Sequence, residues 1–154
     1  MRLRLVLERK LPRHGEQGHA EGEKMKDGKV VLLLIDDAYP DYQFQMGYIH
    51  ARPDVEILST TELEEGERLF DERSGDIDII VIDHAVIGGT TPELIRKMKA
   101  SGFRGLIIGV SYTNIKDMKA AGCDYCCDRN RLFKDEMLEI SGHLDEEIEK
   151  VKGR

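Results

Sequence analysis

Five residues of this chain suggest chemistry by type and position. Asp36 and Asp37 end the run "VVLLLIDDAYP", Asp83 ends "DIIVID", Ser111 follows "LIIGV" and Arg129 lies in "GCDYCCDRN". Each stands just past a short apolar run, where a buried strand would return to water. Three carboxylates gathered there repel one another and need a counter-charge. A hard divalent cation such as Mg²⁺ takes oxygen ligands and keeps several waters, so one or two carboxylates hold it. Such an ion also offsets the repulsion between an attacking carboxylate and an anionic phosphoryl group, and carboxylates are known nucleophiles for that transfer. A hydroxyl and a guanidinium could then bind the phosphoryl oxygens.

That chemistry needs a scaffold that brings distant residues together. VVLLLI (30–35), DIIVI (78–82) and GLIIGV (105–110) are β-rich and almost wholly apolar, the pattern of strands covered on both faces of a parallel sheet. VEIL (55–58) and DYCC (124–127) read as weaker strands. Helical patterns alternate with them. DYQFQMGYIHA (41–51) stops before Arg52-Pro53. ELEEGERLFDER (62–73) turns Leu63, Leu69 and Phe70 to one face. TPELIRKMKASG (91–102) opens with a Thr91 cap and a proline, then closes on Gly102. NIKDMKAAG (114–122) ends the same way, and residues 131–151 read as one long helix through Phe133, Met137, Ile140, Leu144, Ile148 and Val151. Five strands alternating with five helices predict an open, doubly wound α/β sheet. In such sheets ligands bind outside the carboxyl ends of the strands, where the five residues stand.

The 154 residues suit one domain with one core. A net charge of −7 argues against general affinity for nucleic acid. The charge is uneven. Residues 1–29 hold eight Lys/Arg against five Asp/Glu, about +3, and the remainder holds fifteen against twenty-five, −10. Residues 1–28 are polar and Gly-rich in their second half and read as a flexible arm, with the domain spanning 29–154 and ending in an extended C-terminal helix. No apolar stretch reaches the roughly 18 residues of a membrane span. The N-terminus lacks a signal peptide's unbroken apolar core, which leaves a cytoplasmic location as the expectation. Cys123, Cys126 and Cys127 are odd in number and clustered, unlike a disulfide framework.

The order of elements and the strand-end residues resemble the receiver domain of two-component response regulators (CheY-like), over about residues 29–140. The acidic pair after strand one corresponds to Asp36 and Asp37. The phospho-accepting Asp corresponds to Asp83, with Asp78 opening the same apolar run, and the hydroxyl after strand four to Ser111. "AGCDY" matches the element before strand five. The resemblance implies a flavodoxin-like (βα)5 fold with strand order 2-1-3-4-5. It implies Mg²⁺ held by Asp36, Asp37, Asp83 and the backbone carbonyl of Ala85. It further implies a stand-alone receiver that takes a phosphoryl group onto Asp83 from a histidine kinase or phosphotransfer protein and signals to a downstream effector by protein contact. Its only catalysis would be its own aspartyl phosphorylation and dephosphorylation. Departures are plain. Arg129 stands where the family has Lys, and its planar fork differs from an ammonium. Asn130 replaces the usual Pro, Cys126 the switch aromatic, and Val86-Ile87 the Met-Pro pair; the fourth helix is about a turn short.

Plainer readings stand beside these. The Asp36-Asp37 pair also suits a turn and helix cap, and Ser111, Arg129 and His84 each suit an ordinary loop. The cysteines suit core filling better than a metal site, since no second CxxC or paired His motif accompanies them and alternation sends Cys126 and Cys127 to opposite faces. Leu144, Ile148 and Val151 at the chain's end offer a homodimer or partner contact. Two other functions compete: a degenerate receiver that binds a partner without phosphorylation, and a corrinoid-binding flavodoxin-like domain, whose required Asp-x-His-x-x-Gly loop is absent from "DDAYPDYQFQMG".

Overall fold

The computed structural model of the protein describes residues 28–38, 47–111, 113–128, 132 and 142–154. In chain order the elements are β1 (Val30–Ile35), α1 (Gly47–His50), β2 (Val55–Thr60), α2 (Leu63–Arg73), β3 (Ile79–Asp83), β4 (Ala85–Val86), β5 (Gly89–Thr90), α3 (Pro92–Ala100), β6 (Leu106–Val110), α4 (Ile115–Ala121), β7 (Tyr125–Cys127) and α5 (His143–Lys152). Five strands form one sheet in the order β2-β1-β3-β6-β7, every pair parallel. Counting these five alone gives the expected 2-1-3-4-5.

Burial explains the choice. All six residues of β1 and the first four of β3 are buried. Successive side chains point to opposite faces, so such strands need cover on both sides. On one face Val31, Leu33, Ile35, Ile80 and Ile82 pack with Leu69 and Phe70 of α2, Leu94, Ile95 and Met98 of α3 and Met118 of α4. On the other, Val30, Leu32, Leu34, Ile79 and Val81 pack with Ile49 of α1, Leu132, and Leu144 and Ile148 of α5. Cys126 packs against the first cluster and Cys127 belongs to the second, the opposite faces that alternation requires.

Two aspartates fix the register at the amino ends of the strands. Asp78 Oδ2 accepts from the Val31 N–H at 2.9 Å, and Asp124 Oδ2 accepts from the Ile107 N–H at 2.7 Å. Asp78 therefore lies at the sheet's opposite end from Asp83 and ties β3 to β1.

The loop after β3 holds the antiparallel pair β4–β5, too short to show a period in sequence. Its turn uses Gly88 (φ +103°) and Gly89 (φ +150°), conformations that a side chain would strain. The loop is anchored to the β2–α2 connection: the Ile87 N–H donates to the Thr61 carbonyl at 3.0 Å and the Leu63 N–H to the Ile87 carbonyl at 2.9 Å.

The long C-terminal helix is corrected. Gly142 is extended (φ −92°, ψ 166°) and α5 begins at His143, so no unbroken helix spans 131–151. Glycine is a poor helix-interior residue, by about 1 kcal/mol relative to Ala. Leu144 and Ile148 are wholly buried in the chain's own core, and Val151 packs against the same cluster. Leu144 and Ile148 are thus used within the chain's own core, while Val151 stays partly exposed. Phe133, Met137, Ile140 and residues 1–27 lie outside the described residues. No helix among the described residues is long and apolar enough to cross a membrane.

Charges pin α5 in place. Arg52 pairs with Asp54 through two 2.9 Å hydrogen bonds and reaches Glu149 of α5 at 2.6 Å, while Lys152 meets Asp54 at 2.6 Å. Arg52 first, then Lys152, holds the Asp54 carboxyl well below the usual carboxylate range. A depressed folded pKa contributes stability that is complete above the unfolded value and lost as pH falls through the acid range.

Two outcomes follow for equilibrium urea unfolding. Ile148→Ala is expected to cost about 2–5 kcal/mol, with a midpoint independent of protein concentration because the side chain packs within its own chain. Asp54→Asn is expected to cost about 1 kcal/mol at neutral pH and to flatten the fall in stability between about pH 4 and about pH 2.

Candidate metal and phosphoryl site

The register of the sheet builds this site. Ile35 of β1 pairs with Ile82 of β3, so the next residues, Asp36 and Asp83, emerge side by side. Asp83 pairs with Val110 of β6, so Ser111 lies one residue beyond Asp83's neighbour. One carboxylate oxygen from each of Asp36, Asp37 and Asp83 lies within 4.8 Å of the others. Among the described residues no other group of three His, Cys, Asp or Glu side chains is close enough to share an ion. The cysteines join none.

The members differ in environment. Asp36 is fully buried, Asp37 exposed and Asp83 in between. Asp36 continues the sheet, its N–H donating to the Thr60 carbonyl at 3.1 Å. Its Oδ1 accepts from the Ala38 N–H at 2.9 Å, so the turn reading of the pair holds alongside the cluster. Asp83 Oδ1 accepts from the His84 N–H at 2.7 Å. Ser111 is buried; its N–H donates to the Cys127 carbonyl at 3.2 Å and its Oγ accepts from the Asn114 N–H at 2.9 Å. That acceptance leaves the hydroxyl proton to be directed elsewhere.

Two ionised carboxylates about 5 Å apart repel by roughly 3 kcal/mol at an effective dielectric of about 20. A donor set made only of carboxylate oxygens fits a small hard cation, not a soft one. Asp36, Asp37 and Asp83 would hold it. Ala85, the other expected ligand through its carbonyl, opens β4 two residues past Asp83. Arg129 lies outside the described residues, as does Asn130.

Two features escape a sequence reading. His84 Nε2 of the loop after β3 lies 3.9 Å from Asp117 Oδ2 of α4. Thr91 sits at the α3 cap position but makes no side-chain cap bond; its hydroxyl donates to the Asp83 carbonyl at 2.6 Å. The cysteines behave as core residues: burial pushes the Cys123 and Cys126 thiols up, away from the reactive thiolate.

No family model matches the sequence, and no curated protein matches it. Solved structures match in three dimensions. A DNA-binding response regulator of the LuxR family from Staphylococcus aureus matches with a TM-score of 0.60 at 20% identity, over 80% of this chain and 98% of that one. The receiver domain of a Francisella response regulator gives 0.60 at 16% identity, over 80% and 99%. A response regulator receiver domain protein from Clostridium thermocellum gives 0.59 at 19% identity, over 80% and 97%. What this likeness shows is the fold. The chain has the flavodoxin-like α/β fold of CheY-like receiver domains.

Manganese, a paramagnetic substitute for magnesium, reads the cluster directly. It is expected to broaden the amide NMR signals of residues 36–38 and 83–85 first, and Asp83→Asn is expected to weaken its binding at least about tenfold. Uniform broadening over the surface acids would contradict a shared site.

Proposed function

We propose that this protein is a response regulator receiver that takes a phosphoryl group onto Asp83 from a histidine kinase or phosphotransfer protein, in a Mg²⁺-dependent reaction, and signals by protein contact. The observation that carries the reading is the cluster of Asp36, Asp37 and Asp83 carboxylates at the carboxyl end of a receiver-fold sheet. Asp83 supplies the nucleophile: a carboxylate oxygen forms a bond to phosphorus as the donor's bond to phosphorus breaks. Bound Mg²⁺ would neutralise charge shared between the carboxylates and the phosphoryl oxygens. Asp36 and Asp37, with the Ala85 carbonyl, would hold that counter-charge beside Asp83. Ser111 donates its hydroxyl proton to a phosphoryl oxygen, and Arg129 pairs with another. The loops after β3 and β6 then shift between two arrangements.

A second reading is a receiver-like binding module that ignores phosphate. Cys126 favours it. A small, partly buried thiol stands where the resemblance expects a switch aromatic, so phosphorylation would have no large ring to move.

Beryllofluoride with Mg²⁺ separates the two. The phosphoryl reading expects it to shift NMR signals around Asp83, Ser111 and α4, and expects Asp83→Asn to abolish the response while the fold survives. A wild-type spectrum unmoved by beryllofluoride would leave only the binding module.

A further inference from the structure

Thr91 is wholly buried and stands at the cap position of α3. A threonine there ordinarily turns its oxygen to a free N–H of the first helical turn, an interaction whose removal costs about 1 kcal/mol. Thr91 does not. Its hydroxyl donates back to the carbonyl of Asp83 at 2.6 Å, and its N–H donates to the carbonyl of His84 at 2.9 Å. Its own carbonyl accepts the Ile95 N–H at 3.0 Å, the start of the α3 ladder. The hydroxyl also lies 3.3 Å from the His84 carbonyl, a longer contact than the one to Asp83, so one residue joins the end of β3 to the start of α3.

The consequence for the acceptor lies in a single peptide unit. The carbonyl of that unit belongs to Asp83 and is held by the Thr91 hydroxyl. The N–H of the same unit belongs to His84 and donates to Asp83 Oδ1 at 2.7 Å. A peptide is planar, so holding its carbonyl fixes the direction of its N–H. That N–H in turn holds one oxygen, Oδ1, of the Asp83 carboxylate. The bond also polarises the unit, strengthening the N–H as a donor. Thr91 Oγ1 is also 3.8 Å from Met118 Sδ, so α4 backs the hydroxyl in this position.

We propose that Thr91 is a positioning residue for Asp83: its hydroxyl, through the 83–84 peptide, orients the carboxylate for metal binding and phosphoryl transfer. The inference rests on the receiver reading above and adds to it a residue that touches neither metal nor phosphate.

The test compares Thr91→Val, which keeps the shape and loses the hydroxyl, with Thr91→Ser, which keeps the hydroxyl. Two readouts are taken on folded protein: the amide proton shift of His84, and the rate of phosphorylation by acetyl phosphate at saturating Mg²⁺. Thr91→Val is expected to move the His84 amide upfield and to slow phosphorylation about tenfold, since small losses of alignment carry large rate penalties. Thr91→Ser is expected to stay within about twofold of wild type on the same reasoning. An unchanged rate in Thr91→Val, or an equal loss in Thr91→Ser, would overturn the proposal, the second because it marks a packing role only. If Thr91→Val does not fold, Thr91→Ala is read in the same way: a slowed rate with an upfield His84 amide supports the proposal, and wild-type values refute it. Should wild type take no phosphoryl group while the His84 amide still answers to the hydroxyl, the receiver reading fails and the orienting role of Thr91 stands.

Discussion

Asp83 is brought within 4.8 Å of the neighbours Asp36 and Asp37, oxygen to oxygen, against their mutual repulsion, and nothing local in the chain accounts for it. The cause is the parallel pairing of β1 with β3, which sets Ile35 opposite Ile82 and so releases two acids at one edge. Magnitudes decide the contest. Each ionised pair costs roughly 3 kcal/mol at an effective dielectric of about 20. Each fully buried Leu, Ile or Val contributes about 1.5–3 kcal/mol, and β1 and β3 bury ten such side chains between them. The apolar register wins, and the three acids stay together at the sheet's carboxyl edge.

The same geometry separates roles along each strand. Acids at the amino ends bind backbone: Asp78 secures β3 to β1, and Asp124 secures β7 to β6. Acids at the carboxyl ends converge on one another. Identical side chains thus tie strands together at one edge and cluster at the other. What decides is whether a neighbouring strand offers an N–H or another carboxylate. Farther out, charge serves anchoring alone, as where Arg52, Asp54, Glu149 and Lys152 fasten α5 to the turn before β2.

Much of this is legible in the residues themselves. Apolar runs buried on two faces mark β1, β3 and β6, and the rule that ligands sit past strand ends then singles out Asp36, Asp37, Asp83 and Ser111. What escapes is whatever depends on a partner far along the chain. Helical spacing continues across Ser141-Gly142 without a visible break, yet Gly142 is extended. Leu144 and Ile148 look as suited to a partner surface as to a core, and only the fold shows that β1 lies beneath them. Thr91 has the right type for a helix cap, but a strand-end carbonyl competes for its hydroxyl and takes it. Strands β4 and β5, two residues each, are shorter than any period can reveal.

A crystal structure grown with Mg²⁺ examines the shared cluster most directly. The account predicts one ion at the sheet's carboxyl edge, held among oxygens of Asp36, Asp37 and Asp83 and the Ala85 carbonyl, with waters filling the remaining positions. An ion bound elsewhere, or the three carboxylates turned apart in saturating Mg²⁺, would contradict it.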